Sequence, residues 1–111
     1  PVYCVESNPL VSENCGRFAV MRGPVVYCAE ETDNGKNLRD ITLDFSGEIG
    51  ETYEEAYSLP VLSLKGCRRK KSEKLYRRKS DDYEEITVKL IPYFAFANRG
   101  ESEMLVWMQV K

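Results

Sequence analysis

The sequence contains no histidine, no Cys-x-x-Cys pair and no apolar run that approaches a membrane span. Each absence closes off a class of function. Histidine is the usual proton carrier near neutral pH, so acid–base catalysis would fall to other side chains. A structural zinc site would need four thiolates, and Cys4, Cys15, Cys28 and Cys67 are scattered rather than paired. A spanning helix takes about 18 or more apolar residues in succession. The N-terminus lacks the basic patch and apolar stretch of a secretory signal. A Gly-rich phosphate loop and a Gly-x-Ser-x-Gly elbow are missing too.

What is present is ordinary in bulk and uneven in layout. The 111 residues are 42% hydrophobic and 31% charged, which fits one soluble globular domain rather than a disordered or membrane chain. A chain of this size buries about two thirds of its unfolded surface, enough for a core without staples. Unclustered thiols read as reduced cysteines rather than a disulfide framework, which favours a cytoplasmic compartment. Cys28, inside Val25-Val-Tyr-Cys-Ala29, reads as a small buried apolar residue. Opening on Pro1 with no initiator Met, the chain reads as a piece of a longer one, so the parent's address stays open. Net charge is −2, yet residues 65–79 hold nine of the sixteen positive charges. Acids flank that block, at Glu48, Glu51, Glu54 and Glu55 before it and Asp81, Asp82, Glu84 and Glu85 after it.

Period-two alternation recurs. Ile41, Leu43 and Phe45 alternate with Thr42, Asp44 and Ser46; Ile86, Val88 and Leu90 alternate with Thr87 and Lys89. Phe18 and Val20 share one face, as do Val106, Met108 and Val110. Val25–Ala29 is continuously apolar, which suits a strand covered on both sides. Gly23-Pro24, Asp33-Asn34-Gly35 and Asn98-Arg99-Gly100 are turn signals. Gly50–Ser58 is the one helix candidate, at most two turns before Pro60. Short strands between such turns predict an all-β fold, an antiparallel β-sandwich or jelly roll with at most one short helix.

Candidate chemistry is thin. The carboxylate pairs Glu30-Glu31, Glu54-Glu55, Asp81-Asp82 and Glu84-Glu85 are sequence neighbours, which point opposite ways on a strand and make no glycosidase acid–nucleophile pair. Cys67, beside Arg68 and Arg69, is the one thiol in an electropositive setting, but no base accompanies it. Arg68, Arg69, Lys70, Lys71, Lys74, Arg77, Arg78 and Lys79, with Tyr76, could meet phosphates and a base. The plainer reading is a polar hairpin, Leu62 and Leu64 out and Leu75 back, whose basic residues keep an exposed edge from pairing. In an acidic domain the plainer reading prevails, and no nucleic-acid partner is expected. Tyr3, Tyr53, Tyr57, Tyr76, Tyr83, Tyr93 and Trp107 are the aromatics that a sugar could pack on.

Two long segments carry a resemblance. Gly16 to Asn34 holds Arg22-Gly-Pro, Val26-Tyr-Cys, an acidic pair and Asp33-Asn34. Ile91-Pro-Tyr-Phe-Ala-Phe-Ala-Asn-Arg-Gly100 is followed by Met104, Val106 and Trp107. In order and separation these resemble the C-terminal region of glycoside hydrolase family 127, the β-L-arabinofuranosidase group. Phe94 and Phe96 stand where the family commonly has Tyr and Trp, keeping bulk and dropping a polar handle, which suits packing. Residues 36–85 carry the resemblance least.

The resemblance implies an (α/α)6 barrel in the parent that holds a zinc-bound cysteine cluster and a catalytic glutamate, followed by β-sandwich domains. None of the barrel motifs lies in this chain. Residues 1–111 are therefore expected to be a single C-terminal β-sandwich domain, with no catalytic, cofactor or metal residues of its own and zinc only in the parent's barrel. Its expected role is non-catalytic: to pack on the barrel and its sister sandwich and rigidify them. Arg22, Tyr93, Asn98 and Arg99 are expected to be structural, the arginines finding carboxylate or carbonyl partners near the turns they open. The alternative is a carbohydrate-binding module that recruits plant-type glycans. Isolated, such a domain would expose a formerly covered face through which copies could self-associate.

Overall fold

A computed structural model describes residues 2–7, 16–35, 37–69, 83–98 and 103–111, with the backbone alone described for 96–98. Nine strands are formed among the described residues: β1 (Val2–Glu6), β2 (Phe18–Arg22), β3 (Val25–Glu30), β4 (Ile41–Asp44), β5 (Gly50–Glu54), β6 (Leu59–Arg69), β7 (Tyr83–Pro92), β8 (Met104–Leu105) and β9 (Gln109–Val110). Among the described residues, helix is confined to one turn at Glu31–Asn34 and 3-10 turns at Leu38–Asp40 and Tyr93–Asn98. The fold is all-β with little helix.

The pairing order is β1-β2-β3-β7-β6-β4-β9, with β5 also on β6 and β8 also on β3. Of these pairs β4–β9 is parallel, so the sheet is mixed rather than purely antiparallel. The sheet is open but curled, and one bridge spans the curl. Phe18, opening β2, exchanges two backbone hydrogen bonds of 2.8 Å with Met108, which precedes β9. The path β2-β3-β7-β6-β4-β9 therefore returns to β2 through that one bridge, with apolar side chains enclosed.

The alternation in sequence decides which side chains are enclosed. Ile41 and Leu43 of β4, Leu62 and Leu64 of β6, and Val88 and Leu90 of β7 meet Val20, Tyr27, Ala29, Leu38, Leu105 and Met108 in one core. Full burial of a Leu, Ile or Val side chain stabilises by about 1.5–3 kcal/mol. β3 is covered on both faces, as its continuous run predicts. Tyr27 and Ala29 point into the main core, while Cys28 faces outward into a second cluster with Val61, Ile91 and Ala95. Tyr57, Met104 and Val106 pack against that cluster.

Two glycines are placed by geometry. Gly23-Pro24 is the two-residue loop of the β2–β3 hairpin, with Gly23 at φ 60, a left-handed value that a side chain disfavours. Gly66 of β6 lies where a Cβ would sit 2.8 Å from the Thr42 carbonyl oxygen and 2.9 Å from Val88 Cγ2.

Two expectations are corrected. Gly50–Ser58 is not a helix: Gly50–Glu54 pairs with Leu59–Ser63 as β5, and Glu55–Ser58 is the turn. A helix there would have had no apolar stripe to bury, whereas the extended form gains a ladder on β6. Nor is β6 an exposed edge guarded by basic residues, since β4, β5 and β7 all pair with it. The expected return strand residue Leu75 lies outside the described residues.

Candidate functional site

The residues of the first signature sit where strands meet. Arg22, closing β2, forms an ion pair of 2.5 Å with Glu51 of β5, so the expected carboxylate partner lies across the curl rather than at the Gly23-Pro24 turn. Tyr27 is buried and its hydroxyl donates 2.6 Å to the Pro60 carbonyl, reaching past β7 to β6. Burial pushes the Tyr27 phenol above its usual range, with Arg22 lowering it and Glu51 raising it to lesser degrees. Glu30 is wholly buried at the end of β3.

The Asp33-Asn34-Gly35 turn is held from two strands. Asn34 accepts from the Lys89 peptide N–H at 2.8 Å and donates to the Lys89 carbonyl at 2.9 Å. It also donates to the Glu30 carbonyl at 3.1 Å. Arg68 of β6 donates to the Asn34 carbonyl. Asp33 lies 3.6 Å from Lys89 Nζ. This is the described part of the basic block at work inside the fold; residues 70–79 lie outside the described residues.

The second signature is split. Ala95 is buried, while Tyr93 and Phe94 beside it are 50% and 53% exposed. Phe94, expected to pack, leaves about half of its surface exposed. The side chains of Phe96 and Asn98, and all of Arg99, lie outside the description. Tyr93, Val26, Arg39, Met104, Val106 and Trp107 border an open groove of about 430 Å³. Arg17 donates to the Trp107 carbonyl at 3.2 Å, and its guanidinium is depressed by burial and by the nearby Arg39.

Of the candidate catalytic groups, Cys67, Glu84 and Glu85 border one open groove, while Glu30 and Glu31 lie at the end of β3. Cys67 pairs with Thr42 and Glu85 in the β4-β6-β7 ladder and lines an open, mixed-charge groove of about 540 Å³ with Asp44, Lys65 and Lys111. Glu54, Glu55, Glu84 and Glu85 are exposed, and Asp81 and Asp82 lie outside the described residues. Among the described residues no group of three His, Cys, Asp or Glu is placed to hold a metal ion. Cys4 and Cys67 are free thiols and Cys28 is buried; Cys15 lies outside the described residues. Of the sugar-facing candidates, Tyr3, Tyr53, Tyr83 and Tyr93 are exposed, but on β1, on β5 and at opposite ends of β7. Tyr57 and Trp107 are half-buried, and Tyr76 lies outside the described residues.

The chain as a whole finds its counterpart in known proteins. The profile described as "Glycoside hydrolase family 127 C-terminal domain" matches residues 2–109. The chain belongs to that domain family. A non-reducing end β-L-arabinofuranosidase of Bifidobacterium longum subsp. longum is 34% identical over 95% of this chain and 18% of its own length. The crystal structure of a GH127 β-L-arabinofuranosidase from Geobacillus stearothermophilus T6 superposes with a TM-score of 0.84 at 35% identity, over 100% of this chain and 18% of that one. A GH127 β-arabinofuranosidase structure gives 0.75 at 31% identity, over 100% and 17%. The chain thus spans under a fifth of the length of these relatives.

Proposed function

We propose that this family 127 C-terminal domain is a non-catalytic scaffold of a β-L-arabinofuranosidase-like glycoside hydrolase. It packs against the rest of that enzyme and restrains it. One observation carries the reading: the signature residues Arg22, Tyr27 and Asn34 make their polar contacts to neighbouring strands of the same sheet. A residue committed to joining strands is not free to bind or protonate a substrate. The relatives supply the reaction class, since both the Bifidobacterium and the Geobacillus proteins are β-L-arabinofuranosidases and this chain matches 18% of each. The remaining length of such an enzyme is where zinc and the reacting groups belong on this reading.

The carbohydrate-module alternative is not favoured, because the exposed tyrosines Tyr3, Tyr53 and Tyr83 are divided among three strands. Assay of this chain by itself against β-L-arabinofuranosides is the direct test. No turnover is expected, and turnover by the chain alone overturns the reading.

A further inference from the structure

The outer face of the sheet at the Pro92 end of β7 carries an unfinished apolar layer. Cys28, Val61, Ile91 and Ala95 are buried there on the side away from the main core, with Met104 and Val106 packed on them. The layer does not close. Tyr93 and Phe94, directly ahead of buried Ala95, present about half of their surface to solvent, and Trp107 is only half-buried. Clustered exposed aromatics of this size mark interaction surfaces, whereas apolar residues scattered singly do not.

Arg39 borders the groove, and no ion pair to it is formed by the described residues. Arg17, tied to the Trp107 carbonyl, lies close enough to Arg39 for the two cations to repel. A guanidinium at the border of a groove lined by Met104, Val106 and Trp107 calls for an acidic, apolar counterpart. Tyr, Trp and Arg are also the side chains that dominate binding energy at protein interfaces.

We propose that this groove, with Tyr93, Phe94 and Trp107 as anchors and Arg39 at its rim, is the face through which the domain docks onto the preceding part of its own family 127 polypeptide. The inference rests on the scaffold reading above and adds the location. The occupant follows from length: the family match is a C-terminal domain, and more than four fifths of each relative lies outside the matched segment. Faces between domains of one chain bury about 600–1,500 Å², which a groove plus two projecting aromatic rings can nucleate. On this account the docked surface places an Asp or Glu opposite Arg39.

Hydroxyl-radical labelling of the full-length enzyme, read by peptide mass spectrometry, tests the location without any substitution. Within this chain Tyr93 is more exposed than Tyr83, at 50% against 41%. Tyr83 opens β7 and Tyr93 follows its end, about 30 Å away at the usual rise of a strand. The proposal expects the order to invert in the full-length enzyme, with Tyr93 labelled several-fold more slowly than Tyr83. Labelling of Tyr93 as fast as Tyr83 overturns the assigned face. Calorimetry of the same enzyme separates this from the scaffold reading. A single cooperative transition with Tyr93 freely labelled places the docking face elsewhere. Independent melting of the domain removes the scaffold reading and the face together. In the double variant Tyr93→Ser, Phe94→Ser, a transition of its own for the domain is expected, and an unchanged single transition counts against the face.

Discussion

The side-chain amide of Asn34 pairs with the peptide of Lys89 as a strand backbone would. It accepts from the N–H at 2.8 Å and donates to the carbonyl at 2.9 Å. The position is where β3 leaves its ladder with β7. Tyr27 and Cys28 pair with Pro92 and Ile91, but Ala29 and Glu30 turn to Leu105 and Met104 of β8. Asn34, one helical turn later, satisfies the β7 groups that the departure leaves behind.

Replacing that amide is expected to cost stability, not chemistry. Each neutral hydrogen bond contributes a net of about 0.5–1.5 kcal/mol, so Asn34→Ala, which removes the two to Lys89 and the one to the Glu30 carbonyl, is expected to lose about 1.5–4.5 kcal/mol. Asn34→Asp keeps the acceptor for the Lys89 N–H but sets a carboxylate oxygen against the Lys89 carbonyl. It is expected to be no better than Ala at neutral pH. Urea denaturation of the two variants checks both statements.

Gly66 is expected to tolerate no side chain. The built Cβ meets backbone oxygen on β4 and a methyl on β7 below 3.0 Å, and central strands cannot move apart cheaply. Gly66→Ala is expected to destabilise by about 1–3 kcal/mol. Gly50→Ala, whose Cβ would lie 3.4 Å from that of Ser63 on exposed β5, is expected to be neutral within about 0.5 kcal/mol. Thermal melts of the pair read the contrast directly.

The Arg22–Glu51 pair closes the curl at the surface, with side chains 37% and 44% exposed. Exposed pairs contribute about 0–1 kcal/mol and are screened by salt. A double-mutant cycle with Arg22→Ala and Glu51→Ala is expected to give a coupling in that range which shrinks between low and high salt. Coupling that is unaffected by salt would contradict the surface assignment.

Asp44 gives the chain an acid-side titration. Hydrogen bonds from the Ser46 hydroxyl and backbone N–H hold its carboxyl below the usual carboxylate range. A depressed folded value means that the contribution is complete above the unfolded carboxyl's titration, about 3.9, and is lost as pH falls through the lower folded value. Ser46→Ala is expected to move the Asp44 titration upward. Carboxyl carbon shifts followed by NMR from pH 2 to 6 report it, and stability above pH 6 is expected not to respond to protonation here.

Strands with one enclosed face were legible as alternation, and Leu43, Val88 and Leu90 are buried where that pattern places them. The doubly covered β3 was legible as its continuous run. β5 was not, because Glu51–Glu54 has no buried face to pattern its sequence and is set by pairing with β6. The tie at Arg22 was legible as an arginine expected to find a carboxylate or carbonyl near its turn, and Asn34 only as turn punctuation. Their partners, Glu51 and Lys89, lie 29 and 55 residues away, and local sequence carries no record of such contacts. Exposure of Phe94 was not legible, because aromatic bulk signals packing without saying against what.

The central claim is that the signature residues hold a scaffold and take no part in the reaction. Steady-state kinetics of the full-length enzyme on an aryl β-L-arabinofuranoside test it most directly, with Arg22→Ala and Asn34→Ala each compared with wild type well below their melting temperatures. The account expects kcat and kcat/KM unchanged while Tm falls, by about 4–8 °C per kcal/mol if the domain melted alone and less in the larger enzyme. A tenfold or greater fall in kcat with Tm unaltered would contradict it.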